Sequence, residues 1–222
     1  MRTLLAAVLL LTCSFAHSAA MSVTIWNPIP GKAAQMMESA MAAKAIQEKL
    51  GATVTMAMEN TGRMHYALGG FENWQAWAAF ITKLNASPDW AAWQQRRMGD
   101  PSSIQEENFL LNVLPGSNED GNVYQVFIWQ PRDGRLADVI ASATEAKAIH
   151  EKAGARVSII TDQMNRMHYV MNYDDWNHWA KMQDTPNEEF AEFWERQMQD
   201  PNGDLVEVYL SLIHISEPTR LR

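Results

Sequence analysis

The 222-residue chain has little of what metal or covalent chemistry usually requires. Its one cysteine, Cys13, lies near the N-terminus, so disulfide bonds within the rest of the chain are excluded. No His-x-x-x-His pair or cysteine spacing of a zinc site occurs, and no Gly-x-Ser-x-Gly elbow or glycine-rich phosphate loop is present. These absences argue against a zinc enzyme, a serine hydrolase and a P-loop nucleotide-binding protein.

Basic residues are fewer than acidic ones. The chain has 18 Lys and Arg against 26 Asp and Glu, a formal net charge of −8. Such a chain repels the nucleic-acid backbone and anionic lipid, so neither nucleic acid nor a membrane surface is an expected partner. After residue 20 no apolar run is long enough to cross a bilayer, which predicts no integral membrane segment.

Both ends of the chain carry sequence that we expect to lie outside the mature fold. Residues 1–20 have the pattern of a secretory signal peptide, with Arg2, an apolar run and small residues at 18–20. We therefore expect an exported protein, periplasmic or secreted, whereas translation from Met21 would give a cytoplasmic one. Residues 211–222 resemble the translation of a sequencing-library adapter and are expected to be non-native.

The rest of the chain is built twice. Residues 63–66, Arg-Met-His-Tyr, return unchanged as residues 166–169, an offset of 103 positions. The same offset relates Trp26 to Trp129 and Gly51 to Gly154. We therefore expect a first repeat over 21–114, a polar linker over 115–122 and a second repeat over 123–210.

Each repeat has the pattern of a ferredoxin-like βαββαβ unit. In the first, short β-rich runs predict strands over 23–26, 54–58, 63–68 and 109–114, with Gly69-Gly70 ending the third. Helical spacing follows the first and third strands, and Ser87-Pro88 predicts the start of a further short helix. The repeat offset falls to 98 at Pro186 and returns to 101 at Trp194, which predicts that the second repeat lacks about one helical turn before Pro186.

The βαββαβ order, the glycine that ends the first helix and the Ser-Pro or Thr-Pro start of the short helix together resemble the dimeric α+β barrel superfamily, in particular its antibiotic-biosynthesis-monooxygenase-like branch. The resemblance implies an α+β fold in which two antiparallel sheets pack together as a barrel. Here both sheets come from one chain, so a monomer or a homodimer is expected. Members are implied to use such cavities for cofactor-free oxygenation, isomerisation, haem chemistry or ligand binding.

The duplicated motif also supplies the candidate site. Alternation places Arg63 and His65 on one strand face, opposite Met64 and Tyr66. If that face looks between the sheets, arginine offers a charged fork for a carboxylate or enolate, and histidine can move a proton. We expect a pocket between the sheets for a small, partly apolar or acidic ligand, with His65 and His168 as the catalytic candidates. The predicted ligand-binding residues are Arg63, His65, Arg166, His168, Trp26 and Trp129.

Other interpretations remain open. The Arg and His side chains could simply be satisfied by Glu59 and Asp162, or the barrel could be a structural module filled by Met, Tyr and Trp. The alternative from another class is an enzyme similar to cofactor-independent monooxygenases, or one that handles haem. We expect no metal or cofactor. Haem on His65 or His168 is less favoured, and so is copper at Met64-His65, because strand neighbours point to opposite faces.

Overall fold

The computed structural model describes residues 19–117 and 121–212. The first half comprises β1 (Ala19–Pro28), α1 (Ala33–Lys49), β2 (Thr53–Glu59), β3 (Met64–Phe71), α2 (Trp74–Asn85), α3 (Pro88–Gly99) and β4 (Ser103–Val113). The second comprises β5 (Val123–Pro131), α4 (Leu136–Lys152), β6 (Arg156–Asp162), β7 (Met167–Tyr173), α5 (Trp176–Asp184), α6 (Glu188–Gln199) and β8 (Gly203–Leu212). None of these six helices is long and apolar enough to cross a membrane.

The strands form one closed antiparallel barrel in the order β1-β3-β2-β8-β5-β7-β6-β4. Within each half the four strands keep the ferredoxin-like order, β4-β1-β3-β2 and β8-β5-β7-β6. The halves meet at two short seams, where residues 58–59 of β2 pair with β8 and residues 111–113 of β4 pair with β6. The fold class is therefore confirmed: two ferredoxin-like units close a barrel within a single chain.

Both faces of each sheet are covered, because side chains alternate between the helices and the barrel interior. In β3, Met64 and Tyr66 pack with α1 and α2 in the first helix-side core, whereas His65 faces the interior. In β7, Tyr169 packs under the second helix layer and His168 faces the interior. The interior itself is built mainly from apolar residues: Ile25, Phe109, Leu111, Ile128, Ile160, Val170 and Tyr209.

The prediction that Gly69-Gly70 ends the third strand is wrong, because β3 continues to Phe71. Ala20 pairs with Phe71 and Ser22 with Leu68, so the two glycines form a bulge rather than a break. Gly70 has φ +85°, and a Cβ there would lie 2.8 Å from Thr53 Oγ1. Glycine supplies both the left-handed conformation and the close approach to β2.

The first and last strands, β1 and β8, extend beyond the predicted repeat boundaries at residues 21 and 210. β1 begins at Ala19, and Ala20 is 1% exposed and pairs with β3 and β4. β8 runs to Leu212, and Ser211 pairs with both Glu59 and Tyr124. Residues 1–18 of the expected signal peptide, 118–120 of the linker and 213–222 of the expected tail lie outside the described residues, so the domain boundaries stay predictions.

The helical layers of the two halves differ. The caps of α2 and α5, Asn73 and Asp175, are 102 positions apart, and those of α3 and α6, Ser87 and Asn187, are 100 apart. The second half is thus two residues shorter here, and α5 has 9 residues where α2 has 12. Counted from the caps, the counterpart of the buried Trp93 is Phe193, which is also buried, and not Trp194 as the sequence offset suggested.

Candidate functional site

In the first half, Arg63 and His65 converge on one buried carboxylate. Arg63 Nε donates to Glu59 Oε2 at 3.0 Å, and His65 Nε2 lies 2.5 Å from Glu59 Oε1. Only 4% of the Glu59 side chain is exposed. Burial would raise the pKa of Glu59, but hydrogen bonds from His65, Thr61 and Arg63 outweigh it and hold the pKa below its usual value. The carboxylate is therefore ionised, and it fixes the Arg63 and His65 side chains in place.

The second half repeats this cluster around Asp162. Arg166 Nε donates to Asp162 Oδ2 at 2.7 Å, and His168 Nε2 lies 3.1 Å from the same oxygen. Asp162 Oδ1 also accepts the backbone N–H groups of Met164 and Arg166. Burial opposes ionisation, yet the hydrogen bonds from His168 and Arg166 lower the pKa of Asp162 to about 2.

Each cluster packs against an aromatic ring of the opposite half. The ring of His65 meets Tyr209 of β8 edge-on at 5.0 Å, and the Arg63 guanidinium lies 5.3 Å from the same ring centre. In the other half His168 meets Phe109 of β4 at 5.2 Å, and Arg166 lies 5.1 Å from it. The two clusters therefore join the halves as well as holding their own hairpins together.

His65 and His168 line a cavity between the sheets, as the pocket hypothesis requires, but the cavity is small. Its volume is about 170 Å³, below the ~300 Å³ at which pockets begin to hold drug-sized ligands. Polar groups on its wall include Thr55, Ser158 and Ser211. The Ser211 hydroxyl is buried and makes no hydrogen bond to any described residue. This space has room for a few waters or one small ring.

The structure does not bring the other predicted site residues to this cavity. Arg63 and Arg166 lie at the carboxylates and do not line it. Trp26 belongs to the first helix-side core, where the Arg97 guanidinium covers its ring at 4.3 Å. Trp129 lies on the helix side of the second sheet and lines a different cavity.

That second cavity is an open cleft between the outer face of the second sheet and helices α4, α5 and α6. Its volume is about 1120 Å³, ample for a drug-sized ligand. Its floor is formed by β5 and β7, with Trp129, Met167, Tyr169 and Met171. The helices add mostly apolar side chains: Ala143, Ala146, Ile149, Met182, Phe190, Phe193 and Trp194.

The cleft exists because the second half lacks two bulky side chains that fill the corresponding space in the first half. In α2, Phe80 and Leu84 are 7% and 3% exposed and pack into the helix-side core. At the offset of 102, Phe80 corresponds to Met182, while α5 ends at Asp184, before the turn that carries Leu84. No residue of α5 is buried. The shortened helix therefore places no buried side chain over this part of the sheet, and a cleft remains between α5 and α6 although the Met167, Tyr169 and Met171 side chains at its floor are buried.

One polar pair lies inside this apolar cleft. His150 Nδ1, on the last turn of α4, is 2.7 Å from the Tyr169 hydroxyl. Burial lowers the pKa of His150 to about 4 and raises that of Tyr169, so both are neutral near pH 7. In the first half the same positions hold Gln47 and Tyr66, with the hydroxyl donating to Gln47 Oε1 at 2.5 Å.

His150 is not among the residues predicted for the site, because those come from the duplicated strand motif and the two strand-end tryptophans. The change of repeat offset near Pro186 was the available signal, since a missing helical turn removes side chains that would pack over the sheet. At the other end of the cleft, Ser142 donates to Gln197 and accepts from Asn202, each at 2.8 Å. Among the described residues, no three His, Cys, Asp or Glu side chains are grouped to hold a metal ion.

No family model and no curated protein matches the chain. Among solved structures it is similar to a candidate monooxygenase of Fusobacterium nucleatum subsp. nucleatum, with TM-score 0.63 and 8% identity over 88% of this chain and 92% of that one. A candidate monooxygenase from Lactobacillus acidophilus follows, with TM-score 0.61 and 12% identity over 88% and 93%. An anthrone oxidase-like protein gives TM-score 0.59 and 11% identity over 89% and 92%. Identities this low show the fold alone, and that fold is the dimeric α+β barrel, here with both halves in one polypeptide.

Proposed function

We propose that this protein binds a small, largely apolar molecule, and that the cleft of the second half is its principal binding site. The observation that carries the proposal is the asymmetry between the halves. Where Phe80 and Leu84 pack into the helix-side core of the first half, the second half has a cleft of about 1120 Å³. Apolar surface is costly to expose to water, so an open apolar cleft favours an occupant.

The pocket between the sheets remains a second candidate site for a smaller ligand. Its volume of about 170 Å³ and its two histidines suit a single ring with a polar substituent. Haem does not fit there, because it is larger than the drug-sized ligands that already need ~300 Å³. Copper bound by Met64 and His65 together does not fit either, since Met64 faces α1 and His65 faces the interior.

Substitutions that fill one cavity at a time with a larger side chain distinguish between the two candidate sites. Met182→Phe restores the larger side chain of the first half to the cleft, and Ala146→Phe fills it from α4. Ala57→Ile fills the interior, because Ile160 already stands at the corresponding position of the second half. The probe is Nile red, an uncharged dye whose fluorescence rises in apolar surroundings.

We expect both cleft variants to weaken dye binding at least tenfold and Ala57→Ile to leave it unchanged. Loss of binding in Ala57→Ile alone would move the site to the barrel interior. Equal binding by all variants with native melting temperatures would reject both pockets.

Oxygenation is the candidate activity favoured by the names of the similar structures, two of which are candidate monooxygenases and one anthrone oxidase-like. A neutral histidine whose N–H faces an apolar cleft is suited to donate a hydrogen bond to the enolate oxygen that forms when a carbon acid loses its proton. With anthrone as the substrate, reaction with dioxygen would give anthraquinone and water. The formation of anthraquinone is measured by absorbance, and the consumption of dioxygen by oxygen uptake. Loss of turnover in His150→Gln would indicate that the reaction takes place in the cleft. Loss of turnover in the His65→Ala, His168→Ala double variant would indicate the interior cavity. Turnover no faster than in buffer alone would reject the activity for this substrate.

Export is also proposed, on the signal-peptide pattern of residues 1–20. Expression of the full chain with an intact N-terminus in a Gram-negative host is expected to yield periplasmic protein cleaved near Ala20. Mass spectrometry of the purified protein measures the N-terminus directly, and an uncleaved cytoplasmic product would contradict export.

A further inference from the structure

We propose that His150 is the specificity-determining residue of the cleft and that it selects apolar ligands carrying one uncharged hydrogen-bond acceptor, such as a ketone oxygen. The inference rests on the proposed function, because it concerns the same cleft. It goes further by naming the hydrogen-bond donor of the cleft, the direction of the hydrogen bond between Tyr169 and His150, and the class of ligand.

The position of His150 gives it one satisfied nitrogen and one available nitrogen. Nδ1 is 2.7 Å from the Tyr169 hydroxyl, and the ring lies against Phe190 with centroids 4.4 Å apart. Nε2 has no hydrogen-bonding partner within residues 19–117 and 121–212. Because His150 lines the cleft, this nitrogen is the polar atom that an occupant meets beside Phe190 and Tyr169.

The first half indicates which way the hydrogen bond runs. There the Tyr66 hydroxyl donates to the side-chain oxygen of Gln47, which can only accept. Tyr169 and His150 occupy the same backbone positions at the offset of 103, and the matching arrangement is one in which the Tyr169 hydroxyl donates to Nδ1. A neutral imidazole that accepts at Nδ1 carries its proton on Nε2. His150 therefore presents an N–H donor to the cleft.

The surroundings of that donor define the ligand. Trp129, Phe190 and Phe193 supply flat apolar walls suited to an aromatic ring. A charged group placed against these walls and a neutral imidazole would be desolvated at a large cost, because the two lysines that line the cleft, Lys152 and Lys181, are themselves exposed to solvent. At the cleft mouth Lys152 is paired with Glu189 at 2.5 Å. An uncharged acceptor opposite Nε2 is the group that satisfies the donor without that cost.

The test uses a matched ligand pair, acetylnaphthalene and ethylnaphthalene substituted at the same ring position, which differ in the carbonyl oxygen. Binding is measured by tryptophan fluorescence and calorimetry. In the unaltered protein we expect acetylnaphthalene to bind about five to ten times more tightly, the value of one neutral hydrogen bond. In His150→Leu the ratio should fall to about one while ethylnaphthalene still binds. Gln47→Leu, the matched change in the first half, should leave the ratio unaltered.

The outcomes separate this inference from the proposed function. Equal affinity for the two ligands in the unaltered protein overturns the role of His150 but leaves the cleft as a binding site. Failure of both ligands to bind overturns the cleft as well. Should His150→Leu not fold, nitrogen-15 spectra of the unaltered protein decide: a proton on Nε2 supports the inference, and a proton on Nδ1 refutes it.

Discussion

Replacing Asp162 by Asn should lower stability in a way that depends on pH. Asp162 is fully buried and ionised, and it accepts hydrogen bonds from Arg166, His168 and the backbone of the β6–β7 turn. Asparagine keeps an oxygen for the turn N–H groups but removes the charge that holds the two side chains. The variant therefore isolates the ionic part of the cluster with little change in shape.

The magnitude follows from the pKa of Asp162, which lies at about 2 in the fold against 3.8 ordinarily. A shift of nearly two units corresponds to about 2.5 kcal/mol of unfolding free energy. Because the folded pKa is the lower one, this stability is complete above about pH 5 and is lost as the pH falls toward 2. At pH 3 about 1 kcal/mol should already be lost.

Urea denaturation followed by tryptophan fluorescence, between pH 7 and pH 3, measures this difference. We expect Asp162→Asn to be about 2 to 3 kcal/mol less stable than the unaltered protein at pH 7, with the gap narrowing by about 1 kcal/mol at pH 3. Asp133→Asn, at an exposed position, is the control and should follow the unaltered protein throughout. Parallel profiles for the unaltered protein and Asp162→Asn would show that the carboxylate is not held as its geometry implies.

Three further outcomes are expected. His150 should titrate near pH 4 in an NMR pH series, so its contribution to stability rises with pH between about 4 and 6.5; a pKa near 6.5 would contradict its burial. Gly70→Ala should cost about 1 to 3 kcal/mol through its positive φ and the contact with Thr53, whereas Gly99→Ala, in open space at the end of α3, should be neutral or slightly stabilising in thermal melts. Ser87→Ala should cost about 1 kcal/mol by removing the α3 cap, and an unchanged melting temperature would refute that role.

Most of the fold could be predicted from the sequence because the signals were local and repeated. Alternating residues around the Arg-Met-His-Tyr motif, a glycine after α1 and Ser87 before Pro88 each have one common structural meaning, and each occurs at a matching place in the structure. The bulge at Gly69-Gly70 could not be predicted, because the same two glycines fit a break or a close strand approach. Pairing with Ala20 on β1, far away in sequence, decides between them.

The candidate site was harder to predict because cavities depend on what is missing. His65 and His168 line the interior cavity, whose volume depends on how side chains of both halves, such as Ile25, Phe109 and Tyr209, pack together, and no local pattern encodes that packing. The cleft depends on a helix that ends one turn early. A sequence offset registers that deletion but does not say whether neighbouring side chains fill the gap.

Both halves contain the Arg-Met-His-Tyr motif because of its position in the fold, and no catalytic role is needed to explain the duplication. Its Met and Tyr pack under the helices, and its Arg and His hold a carboxylate that ends β2 or β6. Those carboxylates lie at the seams, since Glu59 pairs with Ser211 of β8 and Asp162 with Leu111 of β4. The same Arg and His also pack on a ring of the opposite half.

Each seam has only two or three paired residues, so side-chain contacts must supply much of the closure. Loss of either cluster would loosen the barrel at the junction of the two halves, and that requirement falls equally on both. No such requirement falls on α2 and α5, which lie outside the seams. The helix layer is therefore where one half could open a cleft while the other stayed filled, and His150 in place of Gln47 is the chemical difference that accompanies it.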